Sequence, residues 1–201
     1  MRSKEYSAGA VKFSFWLTEF RKMISLLRSG KTMEEIKELA VSSNIFSAAT
    51  PLRSRQILNT VSSRVSVLSG AYYQLFENGS LETQKLITLI AIMSTDFLFF
   101  CFMNEVYREK LITGDSLLSS ADLLVFFMNK RRESEKVANW TDGTFDRLQK
   151  CYKTYLAEAG LLERGVGDRK IIKPLIDMEL AELLGGSSNM KPILNALTGA
   201  R

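Results

Sequence analysis

The stretch LITLIAIMSTDFLFFCFM, Leu86 to Met103, decides how this chain folds. Its length barely reaches that of a membrane span, and Asp96 stands close to its middle. An ionised carboxylate at that depth costs about 3 kcal/mol on insertion scales. Ser94, Thr95 and Asp96 are instead residue types that end one helix and cap the next. The stretch therefore reads as two buried core helices meeting at a corner, roughly Leu81 to Met93 and Asp96 to Ile112, and no membrane span is expected. Phe97, Phe99, Phe100 and Phe102 recur at helical spacing and read as core rather than as a ligand pocket. The N-terminal run MRSKEYSAGAVKFSFW has no apolar stretch before a small-residue cleavage site, so no signal peptide is expected.

Towards the N-terminus the pattern stays helical. Phe13, Trp16, Leu17, Phe20, Ile24 and Leu27 mark an amphipathic helix that stops near Ser29-Gly30. Thr32 and Glu35 have the spacing of a capping box opening a short helix. Thr50 followed by Pro51 supplies an N-cap and a proline at the first helical position of a third. The three together predict a tri-helical, helix-turn-helix-like unit. A short helix, GAYYQLFENG, closes at Asn78-Gly79.

Towards the C-terminus, Ser119 or Ser120 caps a helix through ADLLVFFMNKRRESEKV, and Thr141 with Asp142 caps another that runs to Ala159 before the C-cap glycine Gly160. The run LLERGVGDRKIIKPL then changes period: an extended piece, a turn at Gly167-Asp168, and Arg169 to Lys173. Helix, helix and a short hairpin is the order of a winged helix-turn-helix. A further helix follows Pro174, and the tail from Gly185 reads as short helical pieces with a frayed end. The fold class is all-α with one short β-hairpin, divided as 1–79, 80–114 and 115–201 around what reads as one globule.

The 201 residues contain no histidine and two cysteines. This composition excludes Ser-His-Asp and Cys-His nucleophile systems, imidazole bases, and His-containing or all-cysteine zinc sites. Cys101 and Cys151 read as reduced, buried thiols, which suits a reducing, cytoplasmic compartment. Ser29-Gly30-Lys31-Thr32 resembles the tail of a phosphate-binding loop. It lacks the earlier glycine, Ser25 standing in its place, and follows a helix instead of a strand. Glu34-Glu35 and Glu133-Glu135 read as solvated surface. No catalytic residue, metal site, cofactor or small-molecule substrate is expected.

Net charge is +5, and the surplus is concentrated in two places. No acidic residue interrupts Leu39 to Phe76, where Arg53, Arg55 and Arg64 fall. Arg53 is the third residue of a capped helix, where N–H donors, dipole and guanidinium together suit phosphate oxygens. The same arginines also fit a basic face that serves solubility. Between Phe145 and Lys173 seven basic residues face four acids. Arg147, Lys150 and Lys153 recur at spacing three, a basic stripe opposite Leu148, Cys151, Tyr152 and Tyr155. Arg169 and Lys170 on the hairpin complete the candidate nucleic-acid contacts. Thr144, Arg147 and Gln149 are placed to contact base edges.

The stretches YSAGAVKFSFWLTEFRK (6–22), NIFSAATPLRSRQILNTVSSRV (44–65), AIMSTDFLFFCFMNEVYREKLITGD (91–115) and KVANWTDGTFDRLQKCYKTYLAEAGLLE (136–163) resemble the BrxA family of bacterial BREX bacteriophage-exclusion systems. The likeness spans nearly the whole chain and weakens after Gly185. It implies a cytoplasmic, mostly helical protein with NusB-like packing, no known catalytic activity, and binding of double-stranded DNA. It also implies work beside other BREX proteins, an adenine methyltransferase among them. No motif of functional residues comes with it. The reading is thus a non-enzymatic duplex binder, with a protein-interaction adaptor and an RNA binder as its rivals.

Overall fold

A computed structural model describes residues 5–200. Residues 1–4, part of the run read against a signal peptide, and residue 201 of the tail lie outside them. A single turn of 3-10 helix (Gly9–Lys12) precedes α1 (Leu17–Arg28), α2 (Met33–Ser42), α3 (Pro51–Val65) and α4 (Gly70–Asn78). The caps fall where the sequence puts them. Thr32 and Glu35 close a reciprocal capping box, and Thr50 Oγ1 accepts from the Arg53 N–H ahead of Pro51. Each satisfies a donor that the helix start leaves orphaned.

Helix α5 (Leu81–Thr95) then meets α6 (Phe97–Phe102) at a corner, the two helical runs being bent by 111°. Asp96 makes the turn: its backbone is extended and its carboxylate accepts from the Phe99 N–H at 3.0 Å. Helix α6 continues through a π-helical turn (Met103–Tyr107), not foreseen from sequence, into α7 (Arg108–Thr113). Every residue from Leu86 to Ser94 is buried, and Phe99 and Phe102 pack at a tilt against Tyr152 at 4.9 and 5.2 Å between ring centroids. The apolar stretch is thus covered by the protein's own side chains. Among the described residues no single helix is long and apolar enough to cross a membrane.

The remaining elements are β1 (Leu117–Leu118), α8 (Ser120–Glu133), α9 (Glu135–Ala138), α10 (Asp142–Ala159), β2 (Arg169–Lys170), α11 (Met178–Gly185) and α12 (Lys191–Thr198). The helix expected through ADLLVFFMNKRRESEKV breaks at Ser134, whose hydroxyl caps α9. The expected hairpin is present as an antiparallel bridge between Leu162 and Ile171, with Glu163 N–H to Lys170 O and Ile172 N–H to Leu161 O both at 2.9 Å. It gains a partner the sequence did not disclose. Strand β1 pairs antiparallel with the other edge of β2, Leu117 opposite Lys170 and Leu118 opposite Arg169. Two residues carry no periodicity, so β1 was invisible before pairing.

The tail forms a short helix as expected, but one packed firmly onto the body. Helix α12 buries Ile193, Ala196 and Leu197 completely and packs against the π-turn and α7. Arg108 donates twice to the Ala200 carbonyl. An apolar face, not chain position, decides whether a terminus frays.

Candidate nucleic-acid interface

Helix α10 is amphipathic. Phe145, Leu148, Tyr152, Tyr155, Leu156 and Ala159 turn inward, while Arg147 and Lys150 are exposed. Arg147 Nε donates back to the Gly143 carbonyl at 3.1 Å. The Lys150 ammonium forms no ion pair among the described residues and faces solvent. Thr144 and Gln149 are half-buried beside them.

Lys153, expected as the third member of this stripe, is only 7% exposed. Its Nζ donates to Ser120 Oγ and to the Gly167 carbonyl, both at 3.0 Å. The reason is geometric. At about 100° per residue, each step of three turns back by about 60°, so the third cation leaves the face of the first. Lys153 instead clamps the hairpin turn onto α8 and α10. Ser120 N–H completes the clamp by donating to Asp168 Oδ1 at 3.0 Å. Burial, and then repulsion from Arg169, lower the Lys153 pKa.

On the hairpin, Lys170 is exposed and Arg169 half-buried. Lys153 therefore brings Arg169 and Lys170 into a fixed relation with the helix bearing Arg147 and Lys150.

The arginines of α3 divide. Arg55 is exposed and forms no ion pair among the described residues. Arg53 is half-buried; its guanidinium lies 4.9 Å from the Trp16 ring centroid and donates to Gln56 Oε1 at 2.6 Å. The Arg53 N–H, one of the donors offered above for phosphate, is taken by Thr50.

Arg64 corrects the sequence reading most sharply. It is 3% exposed, and Nη1 donates to the Ser14 and Phe15 carbonyls at 2.9 and 2.8 Å. The guanidinium sits 5.6 Å from the Trp16 ring and 5.9 Å from that of Tyr155. Burial lowers its pKa, with Tyr155 and Asp96 opposing. Burial also pushes the Asp96 carboxyl up to about 6, against its hydrogen bond from Phe99 and the pull of Arg64. Carbonyls and rings as partners leave no charge signature in sequence, which is why Arg64 looked like surface.

Burial pushes both thiols up to about 11, so Cys101 and Cys151 stay protonated near neutral pH. Cys101 is buried; Cys151 is half-buried and donates to the Ala10 carbonyl. Among the described residues no group of three or more Cys, Asp and Glu side chains is placed to hold a metal ion.

The fold matches a crystal structure of an uncharacterized protein from Magnetospirillum magneticum with a TM-score of 0.78, covering 96% of this chain and 98% of that one at 18% identity. That likeness speaks to fold alone. A local stretch of 85 residues is 34% identical to the Bifunctional protein HldE of Erwinia tasmaniensis, covering 42% of this chain and 17% of that protein. Far more extensive is the match to the BREX protein BrxA of Bacillus cereus (strain H3081.97). It is 42% identical over 164 residues, 82% of each chain. The BrxA family model matches residues 4–187. The chain belongs to the BrxA family.

Proposed function

We propose that this chain is a non-enzymatic accessory protein of a BREX anti-phage system, working in the cytoplasm, that binds double-stranded DNA largely without regard to sequence. The observation that carries the reading is the pairing of α10 with the hairpin. Strand β1, helix α8, the single turn α9, helix α10 and two further strand segments occur in that order, with β2 between β1 and Leu162. This order supports a winged-helix reading, in which the last helix before the hairpin, α10, enters the major groove and the hairpin reaches adjacent backbone. Arg147 and Lys150 stand exposed on that helix, and Lys170 on that hairpin. Arg55 offers a further exposed cation on α3.

Gel-shift titration at about 50 mM salt with a random-sequence duplex, in competition with RNA of equal length, tests this. Retarded duplex that RNA fails to displace supports it. Absence of duplex binding at that salt overturns it, and preferential displacement by RNA transfers the reading to RNA.

One observation favours the adaptor reading as a second. Leu124, Val125 and Met128 of α8 are about half exposed and neighbour one another along the helix. Retention of other BREX proteins in nuclease-treated pull-downs, and its loss on Leu124→Asp, would mark this face as a protein contact.

A further inference from the structure

Beside the hairpin turn lies a solvent-open pocket of about 520 Å3 whose polar wall is made by Lys85 of α5, Thr154 and Glu158 of α10, and Arg164, Gly165 and Arg169. Three cations face it against one carboxylate. Lys85, Arg164 and Arg169 make no ion pair within 4 Å among the described residues. The Arg169 Nε–H is buried and donates to nothing. Native proteins leave few buried donors without an acceptor.

The surroundings register the same imbalance. Lys153 is held below its ordinary pKa by burial and by the Arg169 guanidinium. Glu158 cannot supply the balance cheaply, since burial pushes its carboxyl up and Glu19 adds to this, Arg164 alone opposing. Gly165, with φ 148°, edges the pocket without a side chain, so a ligand can approach the main chain there.

We propose that this pocket is a binding site for a phosphate group, with the Arg169 and Arg164 guanidinium groups and the Lys85 ammonium as its donors. Planar guanidinium donors and a compact ammonium match a tetrahedral oxyanion. A nucleic-acid backbone and free phosphate both present this chemistry. The site extends the duplex reading by one discrete contact and stands without it.

The test uses the whole chain and inorganic phosphate, followed by calorimetric titration and by thermal denaturation against chloride at equal ionic strength. The expected result is saturable binding, with a thermal shift that chloride does not reproduce. Arg169→Gln and Arg164→Gln should each weaken the apparent Kd about tenfold, the loss of one charge-assisted bond. Arg147→Ala with Lys150→Ala should leave it unchanged. Coincident phosphate and chloride curves for the natural chain, or equal binding by all variants, overturn the proposal. Arg164 is exposed, so its variant carries the test if Arg169→Gln fails to fold. Phosphate that displaces a short duplex at fixed ionic strength identifies the backbone as the source. Phosphate that binds without displacing it identifies a free anion. Intact phosphate binding with no duplex binding sinks the duplex reading only.

Discussion

The Lys153 ammonium on α10 donates to the Gly167 carbonyl oxygen at 3.0 Å, and this contact joins the hairpin turn to the helix that carries Arg147 and Lys150. Lys153→Met keeps the apolar stem and removes both donations. We expect a stability loss of only about 1 kcal/mol, because exposed acceptors rehydrate. Faster hydrogen exchange should be confined to Glu163 through Ile172. Unchanged exchange there would mean that backbone pairing alone holds the turn.

Arg64 and Arg55 lie on one helix and should behave oppositely. Arg64→Met strips hydrogen bonds from two main-chain carbonyls and removes a buried cation, at an expected cost of about 2–4 kcal/mol. Arg55→Ala is a surface change within about 0.5 kcal/mol. Chemical denaturation measures both; equal small losses would contradict the burial of Arg64.

Asp96 should give stability a pH dependence. Its carboxyl titrates at about 6 when folded, against about 4 in an unfolded chain. Its proton is therefore held more tightly in the folded state. The resulting contribution is complete below about pH 4 and is lost as pH rises through 6. Asp96→Asn keeps an N-cap acceptor for Phe99 and removes the titration. Its stability relative to the natural chain should climb between pH 4.5 and 7.5, and parallel profiles would contradict the shift.

Leu197 tests whether the tail is structural. It is fully buried in α12, so Leu197→Ala should cost about 2–5 kcal/mol. A frayed tail would lose almost nothing.

Much of this molecule was legible from local chemistry. Thr32 with Glu35, Thr50 with Pro51, and Asp96 announce helix starts because a side-chain oxygen and an orphaned N–H are neighbours in sequence. The corner within the apolar run was likewise announced by one carboxylate, Asp96. What stayed hidden depends on distant partners. Arg64 is buried by Ser14, Phe15 and Tyr155, and β1 exists only because β2 comes to it fifty residues later. Basic residues of the candidate interface were read from spacing, and spacing separates neither Lys153 from Lys150 nor Arg64 from Arg55. A long cationic side chain reaches solvent or a carbonyl according to what packs beside it.

In the proposed duplex complex, exposed cations on α10 and the hairpin grip the phosphates. The most direct measurement is the slope of the logarithm of duplex affinity against the logarithm of salt concentration, for the natural chain and for Arg147→Ala with Lys150→Ala. Each phosphate neutralised contributes about 0.9 to that slope. The account predicts a steep linear fall for the natural chain and a slope shallower by roughly 2 in the variant. Identical slopes would contradict it.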